Sequence, residues 1–216
     1  MVKGWVLEII YLANCDSTQT RLIEALKNGE LEAPVILTAA SQSAGYGSRA
    51  NLWESEEGNL YFSFALKQDM LPDDLPLSAI SIYFAYLMTQ VLRSLGSKAW
   101  IKWPNDFYLE QKIGGILSTK FRGFVVCGIG INIAKAPIYA QTLDIDIESM
   151  TLLSHFEKSL KNLPKWKEIL SKFLLEFEKS KKFSVHIDGK ATPLRDASLA
   201  DDGAIIINNK KVYLAR

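Results

Sequence analysis

Two cysteines and two histidines are all that the 216 residues hold of either type, and this scarcity narrows the chemistry at once. Cys15 and Cys127 stand far apart and form no Cys-x-x-Cys pair or Cys/His cluster. A disulfide scaffold or a zinc site is therefore not expected, and both thiols should be reduced and buried. His155 and His186 are isolated and read as core or surface residues rather than catalytic or metal groups. An excess of one charge is missing too, since 25 Lys and Arg face 24 Asp and Glu. That balance removes the long-range field by which a nucleic-acid or anionic-membrane binder draws in its partner. A long apolar run is also absent. The richest window, Leu75 to Leu95, is interrupted by Ser78, Ser81, Thr89, Gln90, Arg93 and Ser94, which argues against a membrane span. Met1 to Leu12 has one Lys, an acidic Glu8 and no small-residue cleavage site, so it reads as a first strand rather than a signal peptide. A cytoplasmic protein is expected.

What is present suits a folded core, because 48% of the residues are hydrophobic, enough for a chain of this size to do without disulfide or metal staples. In the apolar window Ile80, Phe84, Leu87, Val91 and Leu95 recur at steps of three or four, with Pro76 before and Gly96 after, which predicts a helix buried on a wide face. Ser17 to Lys27 predicts a second helix, N-capped by Asp16 or Ser17 and closed by Gly29. Strands are expected at Val6–Leu12, Val35–Ala39, Leu60–Leu66, Ala99–Trp103, Phe107–Leu109, Ile113–Phe121 and Phe124–Ile131. Leu163 to Lys182 reads as a last amphipathic helix. Short strands follow at Val185–Ile187, Ala204–Asn208 and Lys211–Leu214, with a hairpin turn at Asn208-Asn209. The order lacks the regular alternation of a doubly wound sheet. An α+β fold is expected, a mixed sheet covered by helices over residues 1–182, with a small β-rich appendage at 183–216.

Three loops carry residues suited to chemistry. Gly45-Tyr46-Gly47-Ser48-Arg49 is rich in glycine but leads through Trp53 into a strand, so it is not the strand-to-helix turn of a dinucleotide fold. It reads either as a flexible turn or as a loop wrapping an anionic ligand, with Arg49 for charge and Trp53 for a flat face. Lys102-Trp103-Pro104-Asn105-Asp106 and Lys112-Ile113-Gly114-Gly115 place two cations, a carboxylate and close-approach glycines on adjoining segments, which suits phosphoryl transfer. Each lysine alone reads as a solvated charge. Gly128-Ile129-Gly130-Ile131-Asn132 ends a strand and reads either as part of the same site or as a bulge with a turn Asn.

Taken in order, Asp16-Ser17-Thr18-Gln19, Gln42-x-Ala44-Gly45-x-Gly47, Gly58-Asn59-Leu60-Tyr61-x-Ser63, Lys102-Trp103-Pro104-Asn105-Asp106, Lys112-Ile113-Gly114-Gly115 and Gly128-Ile129-Gly130-Ile131-Asn132 resemble the biotin protein ligases. The resemblance implies a class-II-synthetase-like core with a small SH3-like C-terminal domain. It also implies an enzyme that uses ATP and Mg2+ to make biotinyl-5'-AMP, then transfers biotin to a lysine of a biotin carboxyl carrier protein. By motif, Ser17, Thr18, Gln19 and Gln42 would hold the biotin head group. Gly45, Tyr46, Gly47, Ser48, Arg49 and Trp53 would fold over biotin and adenylate, with Trp53 covering the adenine. Lys112 would meet the biotin carboxylate and α-phosphate beside Gly114 and Gly115, Lys102 the phosphates, and Asp106 the acceptor lysine. Gly130 and Asn132 would lie on the adenine side.

Some positions depart from the family pattern. Ser48 stands where a second loop Arg is usual, Asn51 where a later Arg is common, and Gln19 where Asn is commoner; Val185–Arg216 is shorter than the usual tail. The expectation is that Arg49 supplies the missing cation. A lipoate-type ligase and a non-catalytic biotin-binding module are the alternatives to a biotin ligase. A first strand beginning by residue 6 leaves no space for the N-terminal DNA-binding domain that some relatives carry. Exposed strands leave pairing with a carrier domain or with a second subunit, as a homodimer, equally open.

Overall fold

The computed structural model describes residues 7–48, 51–187 and 189–213. Its centre is a seven-stranded mixed sheet built from β1 (Glu8–Cys15), β2 (Val35–Gln42), β3 (Leu60–Lys67), β4 (Trp100–Lys102), β5 (Asp106–Tyr108), β6 (Lys112–Phe121) and β7 (Phe124–Ile131). The order across the sheet is β1-β2-β3-β7-β6-β5-β4. The β1–β2 pair is parallel and every other pair antiparallel. The expected α+β architecture is therefore present.

Helix α1 (Thr18–Asn28) crosses from β1 to β2. The Ser17 hydroxyl accepts from the Thr20 N–H at its start, and Gly29 closes it at φ 74°, where a side chain would be strained. Leu22 and Leu26 of this helix pack with Val35, Leu37, Ala65 and Val126 on one face of the sheet. On the other face lies the larger core. There Phe62, Phe64, Cys127, Ile129, Ile116 and Phe107 meet α2 (Ile80–Ser94), α3 (Ser149–Leu160) and α4 (Trp166–Phe177). Twelve of the fifteen α2 residues are buried, so its apolar pattern wraps most of the way round. It begins one turn later than the sequence suggests, because Leu77–Ala79 is a separate 3-10 turn led by Pro76.

Two helical readings change. α3 was not anticipated, although Leu152, Leu153, Phe156 and Leu160 carry its buried stripe. The predicted Leu163–Lys182 helix is shorter: α4 starts at Trp166, where the Asp74 carboxylate accepts from the Trp166 and Lys167 N–H groups. It ends at Phe177, and Glu178–Lys182 tightens into a 3-10 turn. The turn brings the Ser180 hydroxyl onto the Trp103 N–H. Glu176 meanwhile accepts from the Ile101 N–H and from Arg93. The Ile101 N–H on the outer edge of β4 and the Trp103 N–H just beyond the strand are thus capped by side chains, which blocks pairing at that edge.

The C-terminal segment forms a hairpin of β8 (Ser184–Ile187) and β9 (Lys190–Pro193) and a three-stranded sheet of β10 (Ser198–Leu199), β11 (Ile205–Ile207) and β12 (Lys210–Val212). Asn208 and Asn209 both have positive φ, as the expected tight turn requires. The segment does not pack on itself alone. Leu194, Ala197, Ile205 and Ile207 join the main core, and the Trp103 and Trp166 indoles donate to the Gly203 and Asp201 carbonyls. Cys15 and Cys127 are buried and unpaired; burial pushes the Cys127 thiol well above its ordinary range, leaving it inert. Among the described residues no helix is long and apolar enough to cross a membrane.

Candidate active site

Register explains where the site lies. Asp106 of β5 sits opposite Lys102 of β4 and Gly115 of β6, Gly115 opposite Gly130 of β7, and Gly130 opposite Tyr61 of β3. The next row on the same face runs Leu117, Gly128, Ser63. Alternation along a strand puts these on the face opposite the large core. Three glycines in two adjacent rows leave a bare strip of backbone in the middle of the sheet.

That strip is the floor of a cleft roofed by the start of α1 and by the segment between β2 and β3. Ser17, Thr18, Gln19, Gln42, Tyr46, Gly47, Ser48, Trp53, Asp106, Lys112, Gly115 and Gly130 of the predicted residues come together around it. Ser63, Leu117 and Gly128 also line it without having been given a role, although Ser63 and Gly128 sit in the quoted Tyr61-x-Ser63 and Gly128–Asn132 runs. Two predicted glycines act behind the surface. A Cβ on Gly45 would stand within 2.9 Å of Ser55, Gln42 and Trp53, so it permits the loop to fold, whereas Gly114 faces Phe107 on the core side. Asn132 lies in an adjoining pocket behind Trp53, with Tyr139 and Pro137. Lys102 lines a third, outer cavity that shares Asp106 and Lys112 with the cleft. Arg49 lies outside the described residues.

Local hydrogen bonds hold the roof. The Gln42 carbonyl oxygen accepts from the Thr18 N–H at 2.8 Å and its amide donates to Ser55 at 2.9 Å. Ser55 in turn donates to the Trp53 carbonyl. The Trp53 indole lies flat on the floor, so close that a Cβ on Gly130 would stand 2.7 Å from its Nε1 and Cε2. Asn59 anchors the segment after β7 by accepting from the Ile133, Ala134 and Lys135 N–H groups. Tyr61, buried beside it, is pushed up to about 12 by burial and keeps its proton to donate to the Glu56 carbonyl. Two contacts link the segment before β3 to the segment after β7: Tyr139 to Glu54 at 3.2 Å and Lys135 to Glu56 at 2.8 Å. Asn105, predicted only as part of a motif, fixes the turn by donating to the Ile116 carbonyl.

The charges are few and placed. Lys112 Nζ lies 2.7 Å from Asp106 Oδ1 and 5.4 Å from the centre of the Trp53 ring. Lys102 has no carboxylate within salt-bridge distance among the described residues. Among the described residues two buried polar side-chain atoms lack a protein partner, Gln19 Oε1 and Trp53 Nε1. Such orphans are costly unless something else bonds them. One acceptor at the inner end and one donor at the wall fit a ligand carrying its own donors inside and anionic oxygens outside.

The model of the biotin/lipoate A/B protein ligase family matches residues 11–134. The biotin acetyl coenzyme A carboxylase synthetase of Helicobacter pylori, solved with bound biotinylated ATP, is 43% identical with a TM-score of 0.91, over 97% of this chain and 100% of that one. The bifunctional ligase/repressor BirA of Escherichia coli is 37% identical over 127 residues, 55% of this chain and 38% of BirA. Biotin–protein ligase 2 of Arabidopsis thaliana is 32% identical over 164 residues, 68% of this chain and 46% of the plant protein. This chain spans less than half the length of those two curated relatives. With more than half of its length matched by the family model and the fold shared end to end with the Helicobacter protein, the chain belongs to the biotin/lipoate A/B protein ligase family.

Proposed function

We propose that this protein is an ATP-dependent biotin–protein ligase that acts on a biotin carboxyl carrier protein. The observation that carries the reading is a glycine-floored cleft with an unsatisfied acceptor, Gln19 Oε1, at one end and the Lys112–Asp106 pair at the other. A ureido ring supplies N–H donors for Gln19, Gln42 and the Thr18–Ser63 hydroxyl pair. A dithiolane ring has none, so the polar inner end favours biotin over lipoate.

In the first step the biotin carboxylate attacks the ATP α-phosphorus, a P–O bond forms, and pyrophosphate leaves. Carboxylate and triphosphate repel until a cation is fixed between them, the task assigned to Lys112, with Lys102 at the departing phosphates. The adenine covers the outer face of Trp53, toward Asn132. Mg2+ would be brought by ATP itself and would offset charge on its phosphates. Arg49 takes over the bracing of the activated acid where Ser48 has replaced the usual arginine.

In the second step a lysine amine of the acceptor attacks the acyl carbon, an amide forms, and AMP leaves. A lysine is protonated near neutral pH, so the amine must lose a proton first. Asp106, at the boundary between cleft and outer cavity, orients that amine and draws its charge. On this reading residues 1–182 form the catalytic unit, and 183–216 a reduced β appendage.

The test is to incubate the protein with biotin, Mg-ATP and a biotin carboxyl carrier domain and to weigh the carrier. Biotin is expected to add to it, while lipoate in place of biotin is not. Absence of both adenylate and transfer refutes the assignment.

A further inference from the structure

Trp100, Lys102, Asp106 and Tyr108 share one face of the β4–β5 hairpin, as the pairing of Trp100 with Tyr108 and of Lys102 with Asp106 shows. Opposite charges stand directly across from each other, yet Asp106 pairs with Lys112 instead. Lys102 points the other way. Its Nζ lies 4.8 Å from the centres of both the Tyr108 and Phe183 rings and 3.2 Å from the Tyr108 hydroxyl. The two rings meet edge to face at 5.5 Å, and Trp100 packs on both. Phe183 comes from the segment that leads into β8, outside the central sheet.

This ammonium is held by two rings and one phenol oxygen, and among the described residues no carboxylate lies within salt-bridge distance of it. It is also fixed, since two rings and a hydrogen bond replace the free rotation of a four-carbon stem. We infer that Tyr108 and Phe183 are positioning residues: an aromatic cradle that holds the Lys102 ammonium at the wall of the outer cavity, ready for the polyphosphate. The inference rests on the ligase reading for the identity of the anion, but the cradle itself does not. It gives the C-terminal segment a direct part in handling ATP.

Loss of a cation–π partner is expected to cost about three- to tenfold in the affinity it supports. Phe183→Leu should therefore raise the KM for ATP about three- to tenfold in adenylate formation while leaving the KM for biotin unchanged, and Phe183→Tyr should restore it. Tyr108→Phe, which keeps the ring and removes the hydroxyl, should fall between. A second readout needs no turnover. The ε-methylene protons of Lys102, assigned by comparison with Lys102→Met, should resonate upfield under two ring currents, lose that shift in Phe183→Leu and move when ATP is added. An unshifted Lys102 signal in the wild-type protein would overturn the cradle. So would an unchanged KM for ATP in Phe183→Leu alongside a raised one in Lys102→Met. A shifted signal in a protein that forms no adenylate would leave the cradle standing and remove the ligase reading.

Discussion

The carboxylate of Asp106 lies 2.7 Å from the ammonium of Lys112, and the pair stands where the glycine-floored cleft opens into the outer cavity. In the proposed reaction the partners serve different steps, and their loss should separate them. Lys112→Met is expected to lower adenylate formation by about 100-fold or more, the scale of losing a fixed charge at a developing anion. Asp106→Asn should keep most of the first step and lose about 100-fold in transfer to the carrier. Single-turnover measurements of the two steps check this. Equal losses in both variants would rule out the division.

The floor offers a second contrast. Gly130→Ala would push the Trp53 ring away, whereas a methyl on Gly128 would stand 2.9 Å from Gln19 Oε1. The first variant is expected to raise the KM for ATP more than that for biotin. The second should do the reverse, and steady-state titration of each substrate measures both.

Much of the site can be read in the sequence because short motifs encode turns. Ser17 announces its helix, Gly29 ends it, and the Asn208-Asn209 hairpin follows from two residues that tolerate positive φ. The strands from Leu60 to Ile131 fall within one residue of their expected bounds for the same reason. What stays hidden depends on distant pairs. Nothing near Trp166 says that Asp74 will cap its helix, and nothing near Lys102 says that Phe183 will close over it. The α3 stripe was legible in principle, but its polar neighbours and short length gave it no start or stop signal. Gly114 and Gly115 look alike in sequence, and only the register with Phe107 and Asp106 shows which one faces the ligand side.

Glu176 is the structural counterpart of the Asp106 pair. It is buried, bidentate with Arg93 at 2.7 and 3.1 Å, and accepts from the Ile101 N–H. Removing one partner of such a pair strands the other, so Glu176→Ala should cost about 3–5 kcal/mol. Chemical denaturation with the slope held fixed checks it. A cost below about 1 kcal/mol would mean that solvent already reaches the pair.

The C-terminal sheet carries a pH-sensitive contact. Burial alone would raise the Asp202 carboxyl, but hydrogen bonds from Lys211, Tyr213 and the Ala204 N–H outweigh it and hold the group below its ordinary 3.8. A lowered carboxylate stabilises the fold above its unfolded value and loses that contribution as pH falls through the folded one. Lys211 is raised above 10.5 by the Asp202 hydrogen bond, so its share persists until pH climbs past that value. The melting temperature of Asp202→Asn should therefore be lower than wild type between about pH 4 and 10, with the two curves converging below pH 4. Parallel curves down to pH 2 would contradict the assignment.

The bare backbone strip formed by Gly115, Gly128 and Gly130 sets how this site is able to change. A pocket lined by side chains can be enlarged or reduced by substitution, but a floor with none can only be filled. Alterations of ligand preference must therefore arise at the rim and roof, in Gln19, Ser48 and the segment around Trp53.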